Sequence, residues 1–252
     1  MRRSIKPVTV KSDKSDPPAR NRRQATMARF AAGEIPTTAE RVMRYLRSSR
    51  NLRPRLHELL PAAIEDAGRL AAPVFVYEIH KAKTLLRSGH LLLENGLSLG
   101  LPRAERYPNT KYLAACVCSL GEAIENACRE FSDTGQLVQA ILLDAVSLSL
   151  MDSLLDKCLE LLHGEARELH LFAGRPFSPG HQDMPMETQA LLFRLVDPAS
   201  ARVRLNESMV MHPLKSLSFF VQFTTGKGET RRSSRCRHCP MRTCPFEARR
   251  SP

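Results

Sequence analysis

The sequence predicts an α+β fold: one domain built on a twisted, largely antiparallel sheet with helices packed against it. Three observations carry that prediction. From Val203 to Phe223 apolar side chains recur at every second position, through Val203, Leu205, Met209 and Met211 and then Leu217, Phe219, Val221 and Phe223, which is the period of paired, half-buried strands. From Gln136 to Leu162 the chain is apolar nearly all round, with Ile141, Ala145, Leu148, Met151, Leu155, Cys158 and Leu162 in one stripe, the signature of a central buried helix. Finally, 252 residues with 42% hydrophobic content suffice for a substantial core.

The other elements follow in order. Thr37-Thr-Ala-Glu40 has capping-box spacing, and Val42, Met43, Tyr45 and Leu46 then supply the stripe of a short first helix. From Arg55 to Ala72 apolar residues repeat at helical spacing, with Pro61 marking either a kink or the true start. A strand spans Val74 to Ile79. The stretch from Lys81 to Asn109 is broken by Gly and Pro and yields only one candidate strand, Leu91 to Glu94. Tyr112 to Cys118 reads as a buried strand, and Ser119-Leu-Gly121 turns it into a helix through Phe131. Cys116, Cys118 and Cys128 read as core residues.

The formal charge of +12 is carried by the ends. Residues 1–29 hold nine Lys/Arg against two Asp, residues 227–252 hold eight against two Glu, and the segment between is close to neutral. The expected organisation is therefore a disordered basic tail (1–29), a domain (30–226) and a basic, Cys-containing tail (227–252). That placement argues against a nucleic-acid surface on the domain. So do the absence of Trp and the 6% aromatic content, with no basic-aromatic interleaving. No run of eighteen apolar residues and no apolar signal region occurs, so no membrane role is expected and a cytoplasmic location is the default. Seven cysteines, an odd number, fit a reducing compartment. Neither a Walker loop nor Gly-x-Ser-x-Gly is present. Asp144 and Asp152 are too far apart for an acid-base pair, and His57, His80 and His163 read as surface residues.

The chemistry gathers between Gly174 and Phe223. The loop from Arg175 to His181 runs into Asp183, which can cap a helix opened by Pro185 and closed by Pro198, with Leu191, Leu192, Leu195 and Val196 buried. A loop entering a helix N-terminus offers backbone donors, and Arg175 adds a fork suited to a carboxylate or phosphate. Glu207 falls in register with the apolar face of its strand and would there need a partner. Structural ion pairing of Arg175 and Glu207 remains the plainer alternative.

At the other end, Cys236, Cys239 and Cys244 place three thiols within nine residues, enough to hold zinc, with His238 as a fourth ligand, or an iron-sulfur cluster. A basic tail with free thiols is the alternative.

An Arg followed by Ser178-Pro179-Gly180, a helix, Arg204-Leu-Asn-Glu-Ser208, Met211-His-Pro213 and Ser216-Leu-Ser218 together resemble the activation domain of cobalamin-dependent methionine synthase. They resemble still more the short, free-standing proteins similar to that domain, and the likeness covers roughly Thr38 to Phe246, with Ala114–Ile124 and Gln139–Asp144 contributing. The short relatives carry a C-terminal group of cysteines as well. The resemblance implies binding of S-adenosylmethionine and docking on a methionine synthase or another corrinoid protein, whose cobalamin would be reductively remethylated. By motif position Arg175 would hold the ligand carboxylate and Pro179-Gly180 would supply the approaching backbone. Glu207 falls on a family position with no assigned role. His181 stands where the family pattern has a Tyr facing cobalamin, and one extra residue separates Arg175 from Ser178. The departure at His181 favours the alternative, a binding or regulatory module that keeps the fold and docks on a corrinoid protein without methyl transfer.

Overall fold

The structure is a computed structural model that describes residues 25–46, 53–101, 109–181 and 184–226. In chain order its elements are β1 (Thr26–Arg29), a 3-10 turn (Ala32–Glu34), α1 (Ala39–Met43), α2 (Arg53–Leu70), β2 (Val74–Leu85), β3 (His90–Leu93), β4 (Ser98–Gly100) and β5 (Thr110–Ser119). They continue with α3 (Ala123–Asp133), α4 (Leu137–Glu168), β6 (Phe172–Ala173), α5 (Thr188–Leu195), a 3-10 turn (Pro198–Ala201), β7 (Arg204–Leu205), β8 (Met211–His212) and β9 (Ser216–Thr224). The fold is α+β, as expected.

Seven strands form one sheet in the order β4-β3-β2-β5-β9-β6, with β1 on the edge of β2, and every pairing is antiparallel. The spine is β2-β5-β9, in register from Val74↔Ser119↔Ser216 to Lys81↔Tyr112↔Phe223. Because successive side chains alternate faces, this spine presents two apolar surfaces. Phe75, Tyr77, Cys116, Cys118, Phe219, Val221 and Phe223 join the helical layer of α2, α3 and α4, where Phe75 stacks on Tyr77 and Phe219 with ring centroids 5.0 and 6.2 Å apart. Val74, Val76, Leu113, Ala115, Val117 and Phe220 face the other way, against Leu192 and Leu195 of α5 and against Ala201 and Val203.

α4 is long and apolar enough to cross a membrane by length and composition, yet 61% of its most apolar window is buried in the fold. Leu154, Cys158 and Leu162 are fully buried, each large aliphatic contributing roughly 1.5–3 kcal/mol relative to exposure. Polar latches fix its register: Tyr77 donates to Glu165 Oε1 at 2.6 Å, Ser153 donates to Pro36 O at 2.7 Å, and Tyr45 donates to Asp152. Burial and the adjacent Glu165 carboxylate push the Tyr77 phenol well above its ordinary pKa.

Several sequence-based boundaries are corrected. Thr26–Arg29, assigned to the N-terminal tail, forms β1, because its backbone pairs with Val74–Tyr77. Thr38, one residue beyond the expected start, caps α1 by accepting from Arg41 N. Pro61 lies inside α2. β2 runs six residues past Ile79, since β3 and β5 continue to satisfy its backbone. α4 is not buried throughout: Leu137, Val138, Ile141 and Leu148 are exposed.

Candidate ligand-binding site

The face of the sheet opposite α4 carries the candidate site. After β6 the chain stays tied to β9: Gly174 N donates to Gln222 O at 2.7 Å, and Phe177 exchanges backbone bonds with Phe220 at 3.1 and 2.8 Å. The two rings stack, with centroids 5.6 Å apart. Arg175 and Pro176 are thereby held as a short arch over the end of β9, with Arg175 half-buried and engaged within the protein. A tight turn follows. His181 N donates to Ser178 O at 3.1 Å, Gly180 N to Met184 O at 2.9 Å and Met184 N to His181 O at 3.0 Å. Gly180 has φ 78°, a conformation open to glycine and strained for most other residues. A Cβ there would also stand 2.5 Å from Met186 Cε. Pro179 is buried, while Gly180 and His181 are exposed at the turn.

The helix does not supply what the sequence suggests. α5 begins at Thr188, three residues after Pro185, and ends at Leu195; Asp183 lies outside the described residues. Its first donors are already used, because Thr188 N, Gln189 N and Ala190 N donate to Pro185, Met186 and Glu187 carbonyls at 2.9–3.1 Å. Arg175 and the Pro179-Gly180 backbone, not an open helix end, are therefore the polar features available to an anion here.

Glu207 is a second correction. Instead of lying on the apolar face of a strand, it is exposed in the turn between β7 and β8 and forms no ion pair with a described residue. Asn206 causes the difference: its Oδ1 accepts from Ser208 N at 3.0 Å and Val210 N at 2.9 Å, and Met209 takes φ 61°. A side chain that satisfies local backbone donors in this way ends the strand ladder. Buried Gln189 pins the turn to α5 by donating to Met209 O at 3.3 Å.

Sequence reasoning missed a polar row beneath this arch. Glu78 and His80 of β2 share the α5 side of the sheet, the His80 side chain is only 10% exposed, and its Nε2 lies 2.7 Å from Leu195 O. His80 is thus not a surface residue, unlike His57 and His163. On β9, Ser218, Gln222 and Thr224 are buried on the same side, with Gln222 Nε2 donating to Thr110 Oγ1 at 2.9 Å. The available signal was the alternation Val74, Val76, Glu78, His80, which carries the strand past its apolar half.

The cysteines divide as expected. Cys116, Cys118 and Cys158 are buried in the helical-layer core. Burial pushes the thiols of Cys116 and Cys158 well up, with Cys118 adding to both. Half-buried Cys128 is raised by burial and by the nearby Asp144 carboxylate. Asp144 itself pairs with Lys215 at 2.5 Å. Among the described residues no group of three or more His, Cys, Asp or Glu is placed to hold a metal; Cys236, Cys239 and Cys244 lie outside them.

Compared by sequence, the chain matches no protein-family model and no curated protein. Compared by fold, it is similar to the MetH reactivation domain in a crystal structure with bound AdoHcy, at TM-score 0.59 and 13% identity over 87% of this chain and 84% of that one. The architecture is therefore that of a methionine synthase reactivation domain.

Proposed function

We propose that this protein binds S-adenosylmethionine on the Arg175–His181 arch and supports reductive remethylation of cobalamin carried by a methionine synthase or a related corrinoid protein in the cytoplasm. The observation that carries the reading is the arch itself. A half-buried arginine and a Pro-Gly backbone are fastened to the end of β9, in a fold similar to a domain crystallised with AdoHcy.

The residues fit such a ligand chemically. A guanidinium matches an amino-acid carboxylate as a two-pronged donor, and glycine at Gly180 leaves backbone open to close approach. Bound adenosylmethionine would supply an electrophilic methyl group, and the partner's reduced cobalt the nucleophile. The chain's own contribution is to hold and orient the ligand. Glu207, exposed at the β7–β8 turn, would reach the ligand only from the rim. The thiols of Cys236, Cys239 and Cys244 would hold zinc or an iron-sulfur cluster on the tail.

Calorimetric titration of the full chain with adenosylmethionine tests the reading. Arg175→Ala is expected to weaken binding by about 1.5–3 kcal/mol, the loss of a charge-assisted contact, with the fold retained. Absence of binding to the unmodified chain at millimolar ligand overturns it. That result would favour the second reading, a corrinoid-docking module without methyl transfer, which rests on exposed His181 at the position where the family pattern has Tyr.

A further inference from the structure

The apolar stripe of α4 is covered over only part of its length. Met151, Leu155, Cys158 and Leu162 are buried, whereas Ile141 and Leu148, one and two turns of the stripe earlier, are 57% and 37% exposed beside exposed Leu137 and Val138. Next to them lies an open groove of about 350 Å³, walled by Tyr45, Leu46, Cys128, Ala140, Ile141 and Leu148. Its surroundings are acidic in an otherwise basic chain: residues 122–157 hold seven Asp/Glu against two Lys/Arg. Asp144, on the groove wall, stays half-exposed even while paired with Lys215, and Glu130 and Asp133 of α3 are exposed. A bare apolar groove with an acidic rim selects an occupant that is both apolar and basic.

Residues 1–24 have that chemistry, with eight Lys/Arg against two Asp and Ile5, Val8 and Val10 among the cations. They join the fold where β1 pairs with Val74–Tyr77. Val74 lies at the same end of the spine as Ser119 and Ser216, next to the Lys215–Asp144 pair on the groove wall. Twenty-four extended residues reach up to about 80 Å, ample to cross that end of the sheet. The other basic segment, 227–252, leaves after Gly226, beyond the far end of the nine-residue β9, roughly 30 Å along the strand from Ser216.

We propose that residues 1–24 of this chain dock in the groove between α3 and α4, laying their apolar side chains against Ile141 and Leu148 and their cations on the acidic rim. Cys128, half-buried on the groove wall, reports occupancy. In the full chain its alkylation by iodoacetamide, followed peptide by peptide in low salt, should be slow. Reversing Arg2, Arg3, Lys6 and Lys11 to Glu should raise the rate about tenfold if the segment is docked about nine-tenths of the time, and so should high salt. Deleting residues 1–24 should act alike, and in an Ile141→Lys, Leu148→Lys background neither change should add anything. Equal rates in the unmodified and charge-reversed chains overturn the proposal. So does an acceleration that follows removal of 227–252 and not of 1–24.

Discussion

Gly180 shows how much a single position can decide. Its φ of 78° means that Gly180→Ala should cost roughly 1–2 kcal/mol for backbone strain alone, read as a fall in the urea midpoint. If the arch is the ligand site, adenosylmethionine affinity should fall as well. That turn was legible because Ser-Pro-Gly allows few alternatives, whereas Glu207 was misplaced because the strand period was carried through Asn206-Glu207-Ser208. Those are turn residues, and Asn206 uses its carbonyl locally. His163 offers a pH test. Burial, and secondarily Arg167, hold its pKa below the ordinary value of 6.5, so as the pH falls the unfolded chain takes up the proton first. Stability tied to the neutral imidazole is therefore full above 6.5 and is lost as the pH drops from there through the lower folded-state value. His163→Gln should flatten that part of the profile, measured as denaturation midpoints on either side of the window.

Among the elements, α2 and α4 make opposite cases. α2 was recognisable from its spacing despite Pro61, which sits exposed inside the helix. There proline removes a backbone donor and crowds the preceding turn. Because an exposed side chain gives up little packing, Pro61→Ala should stabilise the protein by about 1–3 kcal/mol in chemical denaturation. A loss would mean that the bend it imposes is needed for α2 to lie along α4. α4 was recognisable as a core helix, but not the bareness of its first half. Composition reports how apolar a helix is, and only the layout of α1 and α3 decides which of its turns are covered. The latch between β2 and α4 was equally invisible, since Tyr77 and Glu165 meet only through the fold. Tyr77→Phe should cost about 1–3 kcal/mol by depriving a partly buried carboxylate of its donor.

At the scale of the whole molecule, β9 is both the last described element and an interior strand, between β5 and β6. Phe219, Phe220, Val221 and Phe223 enter both cores from it, so neither surface of the sheet closes until the chain reaches Thr224. A chain ending at Gly226 should therefore fold with an unchanged urea midpoint, while one ending at Pro213 should not give a cooperative transition at all. The same topology separates the two chemistries assigned to this protein. Residues 227–252 start beyond Thr224, which pairs with Phe172 three residues before Arg175, so the cysteine segment is tethered beside the arch without being part of it. Protein prepared without oxygen or chelator should carry about one zinc or one iron-sulfur cluster per chain if Cys236, Cys239 and Cys244 are ligands. The Gly226-ended chain should carry none, yet bind adenosylmethionine with the affinity of the full chain. Metal retained by the shortened chain would mean that the ligands lie elsewhere, and a fall in ligand affinity would mean that the tail completes the arch.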